Sequence, residues 1–105
     1  MSDGTLYPVA KVSDLAPGEM MYVEVGPDYE PVCLINLDGA FYALNDNCTH
    51  EEASLSDGEI AGDEIECPLH GGAFEIRTGM PVAFPVVVPA KTYKVRVEGD
   101  DILVG

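Results

Sequence analysis

The chain has 105 residues, 47% of them apolar, and its 5 basic against 19 acidic side chains leave a net charge of −14. The length suits one domain with one core, residues 1–105, and leaves no room for a second. The charge excludes nucleic acid and anionic membranes as partners and favours a protein with a basic docking patch.

Three cysteines is an odd number for a disulfide scaffold and points to metal binding or buried thiols. No basic region followed by an apolar run opens the chain, so no signal peptide is expected. The most apolar stretch, Val82 to Ala90, is interrupted by Pro85 and Pro89 and is too short for a bilayer. A cytoplasmic, monomeric protein is the expectation.

Strand patterns fill most of the chain from Leu6 to Leu44. Ser13-Asp14-Leu15 resembles a helix start, but Pro17-Gly18 stops it within a turn. Met20–Val25, Pro31–Leu37 and Ala40–Leu44 are β-branched or aromatic runs, the last two separated by the hairpin dipeptide Asp38-Gly39. Cys33 sits in the apolar run Val32-Cys33-Leu34-Ile35 and reads as a small hydrophobe. Asp46–Leu55 has no strand pattern. Glu59–Cys67 reads as strand, with Asp57-Gly58 and Gly62-Asp63 bracketing a smaller reversal. Pro68–Gly72 is again patternless. Thr92–Val97 and Asp101–Val104 read as strands joined through Gly99-Asp100. The fold class expected is all-β and almost entirely antiparallel.

The two patternless loops hold the chemistry. Cys48-Thr49-His50 is followed after sixteen residues by Cys67-Pro68-Leu69-His70, so each loop offers one thiolate and one imidazole. Both histidines of the chain and two of its three cysteines fall in these tetrads. Such a set suits a metal centre, and tetrahedral zinc also accepts two Cys and two His. Zinc sites more often pair Cys with Cys and His with His, and staple folds smaller than this one. A nucleophilic Cys-His pair leaves the duplication unexplained. Gly71 and Gly72 allow close backbone approach with N–H groups aimed at sulfur, and Pro68 stiffens the turn.

Cys-x-His, a spacer of this length and Cys-x-x-His resemble the Rieske signature. The likeness extends through Gly39-Ala40-Phe41-Tyr42-Ala43, Leu55-Ser56-Asp57-Gly58, Cys67-Pro68-Leu69-His70-Gly71, Arg77-Thr78-Gly79 and the Tyr93–Val97 strand. The resemblance implies a Rieske fold: an antiparallel β-sandwich with a small cluster-binding subdomain on two loops, 46–55 and 67–74. It implies one 2Fe-2S cluster, with Cys48 and Cys67 on one iron and His50 and His70 on the other. Two ferric ions, two sulfides and two thiolates then sum to zero charge, which favours reduction relative to four thiolates.

High-potential Rieske proteins carry an inter-loop disulfide whose cysteines would fall at Ala53 and Leu69, and hydroxyl donors that would fall at Gly72 and Phe74. None of these residues supplies them here. With Glu51 and Glu52 beside His50, the reduction potential is expected near about −150 mV, at the low end of the Rieske range. The pattern resembles the ferredoxins of bacterial aromatic-ring dioxygenases, which imply a flavin-dependent ferredoxin reductase as donor and a terminal oxygenase as acceptor. The chain is then an electron carrier with no catalytic residue of its own. The histidine edge would be the electron exit, Ala83-Phe84-Pro85 would cover the remaining side, and Glu51, Glu52, Asp57, Glu59, Asp63, Glu64 and Glu66 would form an acidic docking rim. Arg77 is a candidate partner for one of these carboxylates. The alternatives are the small Rieske-type subunit of an assimilatory nitrite reductase, a domain cut from an oxygenase, and a structural zinc module.

Overall fold

Val32 to Leu37 forms an unbroken buried run, so this strand must be covered on both faces. A computed structural model, which describes residues 4–49, 53–69 and 71–105, places it as the second strand of a central sheet. The strands are β1 (Tyr7–Lys11), β2 (Met20–Val25), β3 (Glu30–Leu37), β4 (Ala40–Asn45), β5 (Glu59–Ala61), β6 (Glu64–Glu66), β7 (Ala73–Glu75), β8 (Pro81–Ala83), β9 (Thr92–Tyr93), β10 (Val95–Glu98) and β11 (Asp101–Val104). They form three antiparallel sheets in the orders β1-β11-β10, β2-β3-β4-β9 and β5-β6-β7-β8. Among the described residues there is no α-helix, only single 3₁₀ turns at Val12–Asp14 and Leu55–Asp57. No helix among them is long and apolar enough to cross a membrane.

The period of two along β3 divides the core. Val32 and Leu34 pack with Val23, Ala43, Ile102 and Val104 against the β1-β11-β10 sheet. Cys33, Ile35 and Leu37 face the other way and join Leu44, Leu55, Ile65, Phe74 and Ile76. Each fully buried Leu or Ile contributes about 1.5–3 kcal/mol. The second cluster therefore fastens the small β5–β8 sheet to the sandwich, as the all-β expectation with an added subdomain requires.

Three segments differ from the sequence expectation in detail. Glu59–Cys67 is two strands rather than one, folded back at Gly62-Asp63 so that Ala61 faces Glu64. Thr92–Val97 is divided at Lys94, with β9 on the central sheet and β10 on the outer one. The Lys94 N–H donates to the Gly105 carbonyl at 2.8 Å, which seats the crossing point against the end of β11. Ala73 and Phe74 belong to β7, so the second loop ends at Gly72. The helix-like signal at Ser13-Asp14 is the 3₁₀ turn at Val12–Asp14, where the Asp14 carboxylate accepts the Lys11 N–H at 2.9 Å.

Candidate metal centre

Both candidate ligand loops are hairpin fingers of the same build. In the first, the backbone N–H of Leu55 donates to the Asp46 carbonyl at 2.7 Å, Asn47 bridges Ser54, and the Cys48 N–H donates to the Ala53 carbonyl at 2.9 Å. In the second, Glu66 pairs with Ala73 and the Cys67 N–H donates to the Gly72 carbonyl at 2.7 Å. Each cysteine thus stands at the neck of a finger, with four residues of sequence between it and the residue whose carbonyl its N–H meets, Thr49-His50-Glu51-Glu52 or Pro68-Leu69-His70-Gly71. Gly71 takes φ +71°, a left-handed conformation that costs other residues energy and lets so short a stretch turn back. His50, Glu51, Glu52 and His70 lie outside the described residues.

The necks are held from beneath. Asp46 is 3% exposed, and its carboxylate accepts the Ser54 hydroxyl and, at 2.9 Å, the Ser56 N–H. The Asp46 N–H donates to the Pro31 carbonyl at 2.9 Å, tying the finger to β3. The fingers are pressed together at Gly58, because a Cβ there would overlap the Glu66 carbonyl oxygen, one residue before Cys67.

Cys48 and Cys67 are 5% and 3% exposed and share one apolar cluster with Leu55, Ile65, Phe74 and Val86. Neither is in a disulfide. Two buried thiols converging from independent fingers are a donor set that fits the thiolate-held half of a mixed Cys/His cluster. Phe74 is fully buried in the same cluster and brings no hydroxyl, as the sequence suggested. Cys33 lies in this core as well, where burial pushes its thiol pKa up, with the Asp46 charge adding to the shift, so it stays a neutral hydrophobe.

The segment after β8 covers the fingers. Val86 turns inward into the apolar cluster that holds both cysteines, while Phe84 and Val87 stand 85% and 66% exposed, as does Leu69 of the second finger at 60%. The Phe84-Pro85 peptide is cis. The Thr49 hydroxyl donates to the Val88 carbonyl at 2.8 Å and fastens this cover to the first finger. Sequence reasoning singled out Phe84 but missed Leu69, Val87 and Val88, because exposure of an apolar residue is a property of the fold.

Of the acidic residues, Asp57, Glu59 and Glu66 line a concavity of about 240 Å³ beside Cys67 and Gly71. Asp63 lies apart at the β5–β6 turn and is the carboxylate that pairs with Arg77, at 3.1 Å. The Arg77 guanidinium also stacks over the Tyr42 ring, 5.8 Å from its centroid, joining the small sheet to β4.

Known proteins share this arrangement. The chain is 45% identical over 96 residues to the ferredoxin component of biphenyl 2,3-dioxygenase from Rhodococcus jostii, covering 91% of this chain and 88% of that one. Its structure matches the ferredoxin of carbazole 1,9a-dioxygenase from Nocardioides aromaticivorans with a TM-score of 0.89 at 40% identity, covering 96% and 97% of the two chains. It also matches a chain of a complex of reduced oxygenase and oxidised ferredoxin in carbazole 1,9a-dioxygenase, with a TM-score of 0.88, 40% identity, and 94% and 91% covered. A putative nitrite reductase small subunit matches with a TM-score of 0.80 over 95% and 97% of the chains, but at 24% identity it shares the fold alone. The family model for the Rieske [2Fe-2S] domain matches residues 5–94, so the paired Cys-His fingers and the sandwich beneath them are those of a member of the Rieske [2Fe-2S] family, whose cofactor is a 2Fe-2S cluster.

Proposed function

We propose that this single Rieske domain is the ferredoxin component of an aromatic-ring dioxygenase system, carrying one electron at a time from a flavin-dependent ferredoxin reductase to a terminal oxygenase. The observation that carries the reading is the run of exposed apolar side chains Phe84, Val87 and Val88, in the segment that the Thr49 hydroxyl ties to the first finger, with Leu69 also exposed on the second finger. Cys48 and Cys67 bind one iron, and His50 and His70 bind the other. When bound, the cluster supplies a site that accepts and returns one electron.

The protein's own residues do the rest. The buried necks exclude water from the thiolate side. Leu69, between Cys67 and His70 in the chain, is 60% exposed and offers a partner an apolar contact within two residues of both. Glu59 faces Glu66, and Glu64 faces Glu75, directly across strand pairs. Like charges so placed weaken a sheet, and this cost fits a surface kept acidic for a basic partner. A brief, salt-sensitive encounter is what a carrier with two successive partners requires.

The chain works as a monomer in the cytoplasm, a location in keeping with three thiols outside any disulfide. Neither the zinc module nor the nitrite reductase subunit is favoured: the family is a cluster-binding one, and the nitrite reductase likeness is one of fold.

The test is electron paramagnetic resonance of the dithionite-reduced protein, followed by turnover with a flavoprotein reductase and a biphenyl-class terminal oxygenase. A rhombic signal averaging about 1.9 in g, with catalytic turnover dependent on the chain, is expected. One zinc per chain and no signal would overturn the reading.

A further inference from the structure

A hydrogen-bonded chain leads from the first finger to the surface. The Asn47 N–H, next to Cys48, donates to Asn45 Oδ1 at 3.0 Å. Asn45 Nδ2 donates to the Tyr93 hydroxyl at 3.0 Å, and that hydroxyl donates to Glu30 Oε1, also at 3.0 Å. The same Glu30 oxygen accepts Lys91 Nζ at 2.8 Å. From Asn47 to Glu30 every donor points the same way and the chain ends on a carboxylate, so each bond polarises the next.

The arrangement has a definite logic at Asn45. A side-chain amide can rotate by half a turn and present nitrogen where oxygen is needed. With its single proton committed to Glu30, the Tyr93 hydroxyl faces Asn45 as an acceptor, and only one amide orientation satisfies it. That orientation leaves Oδ1 toward Asn47, closing the tight turn that sets out the neck of the finger. Asn45 also lies on β4, and its own N–H donates to the Lys91 carbonyl at 2.8 Å, which ties β4 by backbone to the residue that opens onto β9 and Tyr93.

We propose that Tyr93 is a positioning residue for the iron-sulfur cluster, fixing the Asn45 amide and through it the backbone that aims Cys48. The proposal rests on the reading that Cys48 is a ligand. The Tyr93 hydroxyl reaches the finger through the Asn45 amide.

The experiment uses the holoprotein. Tyr93→Phe keeps the ring and removes only the hydroxyl. Iron release to a ferrous chelator, followed by loss of visible absorbance, should quicken about fivefold, the worth of one hydrogen bond, with a shift in the g values of the reduced protein. Adding Asn45→Asp should restore both, because two equivalent carboxylate oxygens need no neighbour to orient them toward Asn47. Unchanged release and g values in Tyr93→Phe would overturn the proposal. So would a change that Asn45→Asp fails to reverse, since loss of the bond to Glu30 would then be the whole effect. Cys48→Ala tests the underlying reading separately: a Rieske signal that survives it would remove Cys48 from the ligands, whatever Tyr93 does.

Discussion

The carboxylate of Asp46 faces Ser54 across the base of the first finger and accepts its hydroxyl, while the other carboxylate oxygen accepts the Ser56 N–H at 2.9 Å. This one buried side chain therefore closes both strands of the finger two residues before Cys48. Asp46→Ala leaves the half-buried Ser56 N–H and the Ser54 hydroxyl without their acceptor and should lower stability by about 2 kcal/mol. Asp46→Asn keeps an acceptor oxygen for Ser56 and lets Ser54 turn its hydroxyl to accept, so its loss should be the smaller. Urea midpoints of the holoproteins, read from the visible absorbance, check the order. Equal losses in the two variants would assign the effect to charge rather than to hydrogen bonding.

Gly58 meets backbone, which cannot move aside as a flexible side chain can. Its absent Cβ leaves room for the Glu66 carbonyl, and its own N–H donates to Leu55 at 2.9 Å, so both neighbours belong to segments leading into the fingers. Gly58→Ala should cost about 1–3 kcal/mol through this overlap. The loss should appear as faster bleaching of the cluster at a given urea concentration, and should exceed that of Gly62→Ala at the β5–β6 turn, where a Cβ has open space and only the φ of +62° is strained.

These two supports were not legible in the sequence, and the reason is physical. Asp46 reads as a solvated loop carboxylate, since its partners at Ser54 and Ser56 become neighbours only when the finger closes. The ligand pairs were legible because Cys-x-His and Cys-x-x-His are local spacings that need no knowledge of the fold. Likewise β3 and β4 were readable from long apolar runs around Asp38-Gly39, whereas β7 and β8, three residues each, are too short to display a period of two. The break at Lys94 was hidden for another reason: both sides have strand composition, and only the sandwich requires the chain to change sheets there.

The reduction potential should lie near about −150 mV. Phe74, buried against the cysteines, offers no hydroxyl to stabilise an electron-rich cluster, and Asp57, Glu59 and Glu66 gather beside Cys67. Both features oppose an added negative charge. A redox titration with a midpoint above zero would contradict this account.

Acid stability should report on Glu30. Its carboxyl is held below the ordinary value of 4.5, first by the hydrogen bond from Lys91 and then by that from Tyr93. A depressed carboxyl stabilises the fold above its unfolded pKa, and that contribution disappears as pH falls through the folded value. The stability gap between the parent and Glu30→Gln should therefore be open near neutrality and close below the ordinary carboxylate range. The gap should be small, because the pair is well exposed and screened by solvent. A gap constant with pH would show that the glutamine is penalised for its shape.

Docking should separate into an apolar and an electrostatic part. Phe84 is 85% exposed, so Phe84→Ala should leave folding and the cluster's spectrum unaltered. If the exposed apolar run that includes Phe84 is the contact surface, the same change removes an aromatic anchor from the partner's pocket, worth about 2 kcal/mol at an interface centre, or roughly thirtyfold in apparent KM for the oxygenase. Glu59→Gln with Glu66→Gln should act differently, slowing association at low salt and flattening its ionic-strength dependence, because surface charges beyond about 10 Å are screened at 0.1 M salt. The pair also removes a like-charge contact across β5 and β6, so the variant should be at least as stable as the parent while reacting more slowly. Stability and partner affinity moving in opposite directions would mark those carboxylates as kept for docking, and a variant that gains stability without losing rate would leave Phe84 and its neighbours as the whole of the docking surface.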